Sequence, residues 1–161
     1  LNEIGMHNFR LENYNTKIIW ADKLNGESYY FVYDIFTKTK TKIQSNLDYP
    51  SHPILIERYI ISNEFSNDSN GIQSYIYDTY TKKSNKIDIK LNGYYAYNNY
   101  LITNNGKDVF ICQVNEDLNV HKVNTIKNEN YEDYYVSSNQ SLIFMKQNTN
   151  NNFDLLIYKK N

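Results

Sequence analysis

The chain is poor in the residues that constrain small or specialised folds. Its 161 residues include one Cys, two Pro, five Gly, two Met and one Trp. A single cysteine, Cys112, rules out an internal disulfide framework. So little Pro and Gly excludes a collagen-like chain or a flexible linker. No stretch approaches the ~18 consecutive apolar residues that a membrane-spanning helix needs. Charge is balanced, with 17 Lys and Arg against 18 Asp and Glu, and no basic block stands out. That argues against a nucleic-acid footprint. His7, His52 and His121 are far apart and show no ligand-like spacing with Cys112, so no metal site is expected. "NEFSNDSNG" (63–71) lacks the alternating acids and final Glu of a calcium loop and reads as a long turn. Neither a phosphate-cradling glycine loop nor a nucleophile motif is present, and no cofactor is expected.

What is abundant points to β-structure. There are 17 Tyr, among many Ile, Asn and Lys; Tyr and Ile favour strands, and Asn favours turns. "YFVYDIFTKTKTKI" (30–43) returns as "SYIYDTYTKKSNKI" (74–87). Short apolar runs start at Lys17, Tyr59, Tyr100 and Ser141, that is 42, 41 and 41 residues apart. Each is followed by a polar stretch and a second apolar run: 29–35, 74–80, 108–114 and 154–160. Three of those polar stretches carry Asn-Gly, at Asn25-Gly26, Asn70-Gly71 and Asn105-Gly106. Asn-Gly between strand-like runs is a strong hairpin signal, because both residues accept positive φ.

Two further runs complete each unit. One precedes it, at 9–13, 53–57, 94–98 and 134–138, and one follows it, at 39–45, 84–90 and 119–125. The unit is therefore four short strands, A to D. Repeats of this length cannot bury both faces alone and must stack. The predicted fold is all-β: a single β-propeller domain over 1–161, with four blades of four antiparallel strands at about 9–45, 53–90, 94–125 and 134–161. The fourth unit lacks a D strand. "NEIGMHN" (2–8) aligns with "NKIDIKL" (85–91), so residues 1–8 are expected to supply that strand and close the ring. Tyr33 and Tyr77 take equivalent C-strand positions as packing residues, and Cys112 in the same slot reads as a small buried hydrophobe. Asp34 and Asp78, with Thr37 and Thr81, are expected to close the C–D turns by accepting backbone N–H bonds.

"KIIWADKLNGESYYFVYDIFTKTKTKI", followed by "YPSHPIL", resembles the β-propeller repeats of TolB-like and methanogen surface-layer-type proteins. Trp20, Asp22, Asn25, Gly26, Tyr33, Asp34, Thr37, Lys38 and Pro53 match that pattern, in which Thr-Gly-Lys precedes the last strand. The likeness covers residues 17–90 well and implies a fold rather than an activity. Four blades is fewer than such families usually have.

The function expected is that of a non-catalytic binding or interaction module, at the cell surface or outside the cell. Its Tyr/Asn-rich loops would meet a glycan or protein partner, since flat rings stack and amides hydrogen-bond. The candidate ligand-binding residues are Tyr49, Phe65, Tyr94 and Tyr131, taken as loop residues. A second reading is an accessory or gating propeller attached to a hydrolase or transport component. A third is a glycosidase-like enzyme using two of Asp22, Glu64, Asp108 and Glu132, which needs two carboxylates ~5–9.5 Å apart. Self-association is expected if the ring is incomplete.

Overall fold

The computed structural model describes residues 12–14, 16–48, 50–65, 72–89, 92–97, 100–105, 108–127, 133–136, 141–147 and 153–159. Within them the chain forms fifteen strands and no helix. The first sheet comprises β1 (Glu12–Tyr14), β2 (Lys17–Leu24), β3 (Glu27–Asp34) and β4 (Thr39–Gln44). The second comprises β5 (Pro50–Ile56), β6 (Tyr59–Phe65), β7 (Ile72–Asp78) and β8 (Ser84–Ile87). The third holds β9 (Asn92–Tyr97), β10 (Tyr100–Asn104), β11 (Val109–Val114) and β12 (Val120–Ile126). The fourth has β13 (Asp133–Val136), β14 (Ser141–Gln147) and β15 (Phe153–Lys159). Each sheet is an antiparallel meander with its strands in sequence order, and these strands fall on the A–D runs of the repeat.

The expected closed disc is not what these sheets form. The first sheet lies against the second through β1, β2 and β5, and the second lies against the third through β5 and β9. The fourth sheet has three strands among the described residues. Residues 1–8, expected to add its last strand, lie outside the described set.

Two apolar seams join the first three sheets, and strand alternation sorts residues between them. Ile19, Ala21, Tyr30, Ile43, Leu55, Ile60 and Tyr77 fill the seam between the first and second sheets. Ile54, Ile56, Tyr59, Ile61, Ile76, Ile87, Leu101, Phe110 and Cys112 fill the seam between the second and third. Consecutive residues of β5 and β6 thus face opposite neighbours: Leu55 and Ile60 one way, Ile56 and Ile61 the other. This is why the second sheet reads as near-continuous apolar sequence.

Antiparallel meanders put alternate turns at opposite ends. At the end called here the B–C end lie Asn25-Gly26 and the links from one sheet to the next. At the C–D end lie the turns Glu57-Arg58, 35–38, 79–83 and 115–119. The Asn25-Gly26 turn has φ of 54° and 87°, the positive pair that a type I′ hairpin requires. The aspartates close their turns as expected. Asp34 Oδ1 accepts the N–H groups of Phe36 (2.9 Å) and Thr37 (3.1 Å). Asp78 Oδ1 accepts those of Tyr80 (2.8 Å) and Thr81 (3.4 Å).

Each of these turns then passes through a left-handed residue that is not glycine: Lys38 (φ 56°) and Lys82 (φ 60°). A side chain in that conformation costs roughly 1–2 kcal/mol, and glycine removes the clash at some cost in chain entropy. Lys38→Gly and Lys82→Gly are each expected to stabilise the protein by about 0.5–1 kcal/mol, read as a higher urea midpoint.

The outermost strands β4, β8 and β12 are exposed along most of their length. They carry Lys40, Lys42, Lys86 and Lys122, and the β11–β12 ladder slips register after Ile111.

Candidate functional site

Eight polar or charged side chains are buried among the described residues: Asp22, Ser28, Ser51, Ser62, Asn63, Ser74, Asp78 and Thr103. Asp78 belongs to a C–D turn. The other seven lie at mid-strand or beyond it toward the B–C end. The buried serine, threonine and asparagine side chains therefore gather toward one end of the seams.

These groups form two small networks. Between the first and second sheets, the hydroxyls of Tyr30 and Ser62 share a hydrogen bond of 2.7 Å. Ser28 Oγ donates to the Asp48 carbonyl (2.6 Å), and Glu64 Oε1 accepts the Asp48 N–H (2.9 Å). Burial, with Glu64 nearby, holds the Tyr30 phenol above its ordinary range despite its hydroxyl partners. Between the second and third sheets, Ser74 Oγ donates to Asn63 Oδ1 (2.7 Å) and Ser51 Oγ to the Asn63 carbonyl (3.1 Å). A register shift between Ser51 and Ile54, with His52 at φ 48°, bends β5 here. The His52 carbonyl accepts the Tyr94 hydroxyl from β9. Thr103 Oγ1 is buried on the same sheet as Tyr94 without a hydrogen-bond partner.

The sequence-predicted ligand residues divide accordingly. Tyr94 is not a loop residue: it sits in β9, is buried, and spends its hydroxyl on His52. The run 94–98 marks a strand here, and the structure keeps Tyr94 in it, at the register shift of the β9–β10 ladder. Phe65 is the last residue of β6, at the B–C end, rather than part of the following loop. Tyr49 and Tyr131 lie outside the described residues.

The carboxylates of the enzymatic reading are not brought together. Alternation places Asp22 on the face of the first sheet away from the second, and its Oδ1 accepts the Lys23 N–H (2.8 Å). Glu64, in register with Ile60, faces the first sheet. Asp108 pairs with Lys127 at 2.8 Å, and Glu132 lies outside the described residues. Among the described residues no three of His, Cys, Asp and Glu converge as a metal cluster.

Cys112 is fully buried in the second seam. Burial pushes its thiol up to about 11, against the opposing pull of Lys122. Since the thiolate is the reactive form, native protein at pH 8 is expected to resist thiol reagents. Full labelling should appear only after denaturant is added; fast labelling of native protein would place Cys112 in a mobile or open seam.

No protein-family model matches the chain, and no curated protein matches it in sequence. Solved structures do. The β-propeller domain of the Trilobed protease from Pyrococcus furiosus superimposes with a TM-score of 0.63 at 10% identity, over 98% of this chain and 56% of that one. Pyrococcus horikoshii acylaminoacyl peptidase gives 0.60 at 10% identity, over 95% and 31%. KlHsv2, with loop 6CD replaced by a Gly-Ser linker, gives 0.53 at 12% identity, over 86% and 45%. The fold is thus of the β-propeller type. The chain spans about half of the first of these and a third of the second.

Proposed function

We propose that this chain is a non-catalytic interaction module of the β-propeller type, whose ligand-facing side is the B–C end. The observation that supports it most directly is the gathering of seven buried polar side chains there. A hydroxyl in a sheet seam contributes less than the aliphatic residue it replaces, and an unpaired one costs about 1–3 kcal/mol. Departures from the best-packed choice concentrate where something other than stability is being served. Phe65 and Tyr49 flank that end in sequence and supply rings on which a sugar or an apolar side chain would stack.

An accessory role beside a hydrolase is the second reading, and one observation favours it: two of the matching propellers belong to a protease and a peptidase. A TolB-like or surface-layer subtype, and a location at the cell surface, are parts of this proposal that rest on the sequence resemblance alone.

The test is a binding screen of the intact chain against a glycan array and a displayed peptide library. A hit that weakens at least tenfold in Phe65→Ala, with an unchanged melting temperature, supports the reading. An empty screen alongside turnover of a glycoside or peptide substrate would overturn it. In the same set, Thr103→Val is expected to leave stability unchanged or raise it by about 1 kcal/mol, since it removes a buried hydroxyl that has no partner.

A further inference from the structure

The C–D end has the opposite character. Phe36 is 85% exposed, Tyr80 76% and Ile35 54%. Phe36 and Tyr80 occupy the same place in their turns, two residues after Asp34 and Asp78. Neither turn needs a ring at that place. Its geometry comes from the aspartate caps and the left-handed lysine, and the aromatic side chain points to solvent. Lys38, Lys82 and Lys83, in the same two turns, are exposed as well. Arg58 lies 5.7 Å from the Tyr80 ring and is anchored by Asp78 at 3.3 Å.

The third turn at this end differs. Asn115, Glu116 and Asp117 are all exposed, and the turn carries two acids and no aromatic residue. Around three consecutive sheets the rim therefore reads aromatic and cationic, aromatic and cationic, then anionic. The other charges on the rim are these: Asp34 and Asp78 cap their turns, Glu57 is exposed beside Arg58, Arg58 also feels the charge of Glu116, and His121 lies 3.9 Å from Asp117; the two carboxylates remain exposed to a partner. A rim with both signs on one surface is complementary to itself under a two-fold rotation, the commonest symmetry of homo-oligomers.

We propose that the C–D end is a docking surface for a second copy of this chain. The rings of Phe36 and Tyr80 pack on the third-sheet turn of the other protomer, and Lys38 and Lys82 face its Glu116 and Asp117. Both contacts occur twice in the pair. The lysine–carboxylate contacts are rim interactions, so they set orientation and salt dependence more than strength, while the aromatic residues carry the affinity. This surface is opposite the B–C end and independent of the ligand reading given above.

The test is sedimentation equilibrium of the intact chain at low and high salt. A dimer that loosens at least tenfold in high salt is expected. Phe36→Ser with Tyr80→Ser should weaken it at least tenfold while melting temperature and circular dichroism stay unchanged. Lys38→Glu with Lys82→Glu, and separately Glu116→Lys with Asp117→Lys, should each yield monomers. Mixing those two variants should restore association, a result that misfolding cannot produce. A chain that is monomeric at every concentration overturns the proposal. So does a dimer indifferent to all these changes, or a monomer that instead binds anionic vesicles through Phe36 and Tyr80.

Discussion

Ile60→Ala and Ile61→Ala are each expected to destabilise the protein by about 3–4 kcal/mol, the range for emptying a fully buried aliphatic site. Both side chains are 0% exposed and sit side by side on β6. Their effects should differ in place rather than in size. Ile60 faces the first sheet with Leu55 and Tyr77, so its loss opens the first seam. Ile61 faces the third with Ile76 and Leu101, so its loss opens the second. In stacked repeats each unit is held chiefly by its neighbours. Hydrogen exchange should accordingly quicken in β2 and β3 for Ile60→Ala and in β10 and β11 for Ile61→Ala. A uniform rise across all three sheets in both variants would show one cooperative core rather than two seams.

Asp78→Ala should cost about 3 kcal/mol, more than the matching change at Asp34. The two aspartates do the same backbone work, but Asp78 is 1% exposed and also faces the Nε edge of Arg58 at 3.3 Å. Removing it uncaps a turn and leaves that guanidinium, stacked near Tyr59 and Tyr80, without its carboxylate. Asp78→Asn keeps an oxygen for the Tyr80 and Thr81 amides and should fall between the two.

The pH dependence follows from the same contacts. Burial pushes the Asp78 carboxyl upward, but the Tyr80 and Thr81 amides, the Thr81 hydroxyl and Arg58 together hold it below its ordinary value of 3.8. A carboxyl depressed in the folded state adds stability that is complete above its unfolded pKa and disappears as pH falls through the folded one. The gap in urea stability between the native protein and Asp78→Asn should therefore be constant near neutrality and shrink below about pH 4. A gap that widened in acid would mean that the carboxyl is held above its ordinary value.

Much of this architecture can be read from the chain itself. Apolar runs such as "KIIW" and "YIIS" mark strands because both of their faces are covered. Asp34 and Asp78 mark turns because a short carboxylate two residues before an amide has few other uses. Asn25-Gly26 marks a type I′ hairpin because few other pairs tolerate two positive φ values. Closure was another matter. Counting strands gives the number of sheets, but the angle between sheets depends on side-chain volumes across the seams, and those appear only once partners are known. Tyr94 shows a related limit: it opens the strand-like run 94–98, but that its hydroxyl is taken up inside the fold depends on a β-bulge at His52, on another sheet. The polar character of the B–C end was also hidden, because serines at 28, 51, 62 and 74 look unrelated until two sheets bring them to one end.

The lysines on the outer strands bear on how the protein behaves at high concentration. A sheet that ends in an unsatisfied ladder invites another chain to add itself, and repeated addition grows a fibril. β4 presents Lys40 and Lys42, which would have to be desolvated against an incoming backbone, and the slipped ladder of β12 offers no straight edge to copy. Neutralising Lys40 and Lys42 would leave Thr39–Gln44 as a short, threonine-rich template, so amyloid seeding is where the fold is guarded by charge rather than by packing.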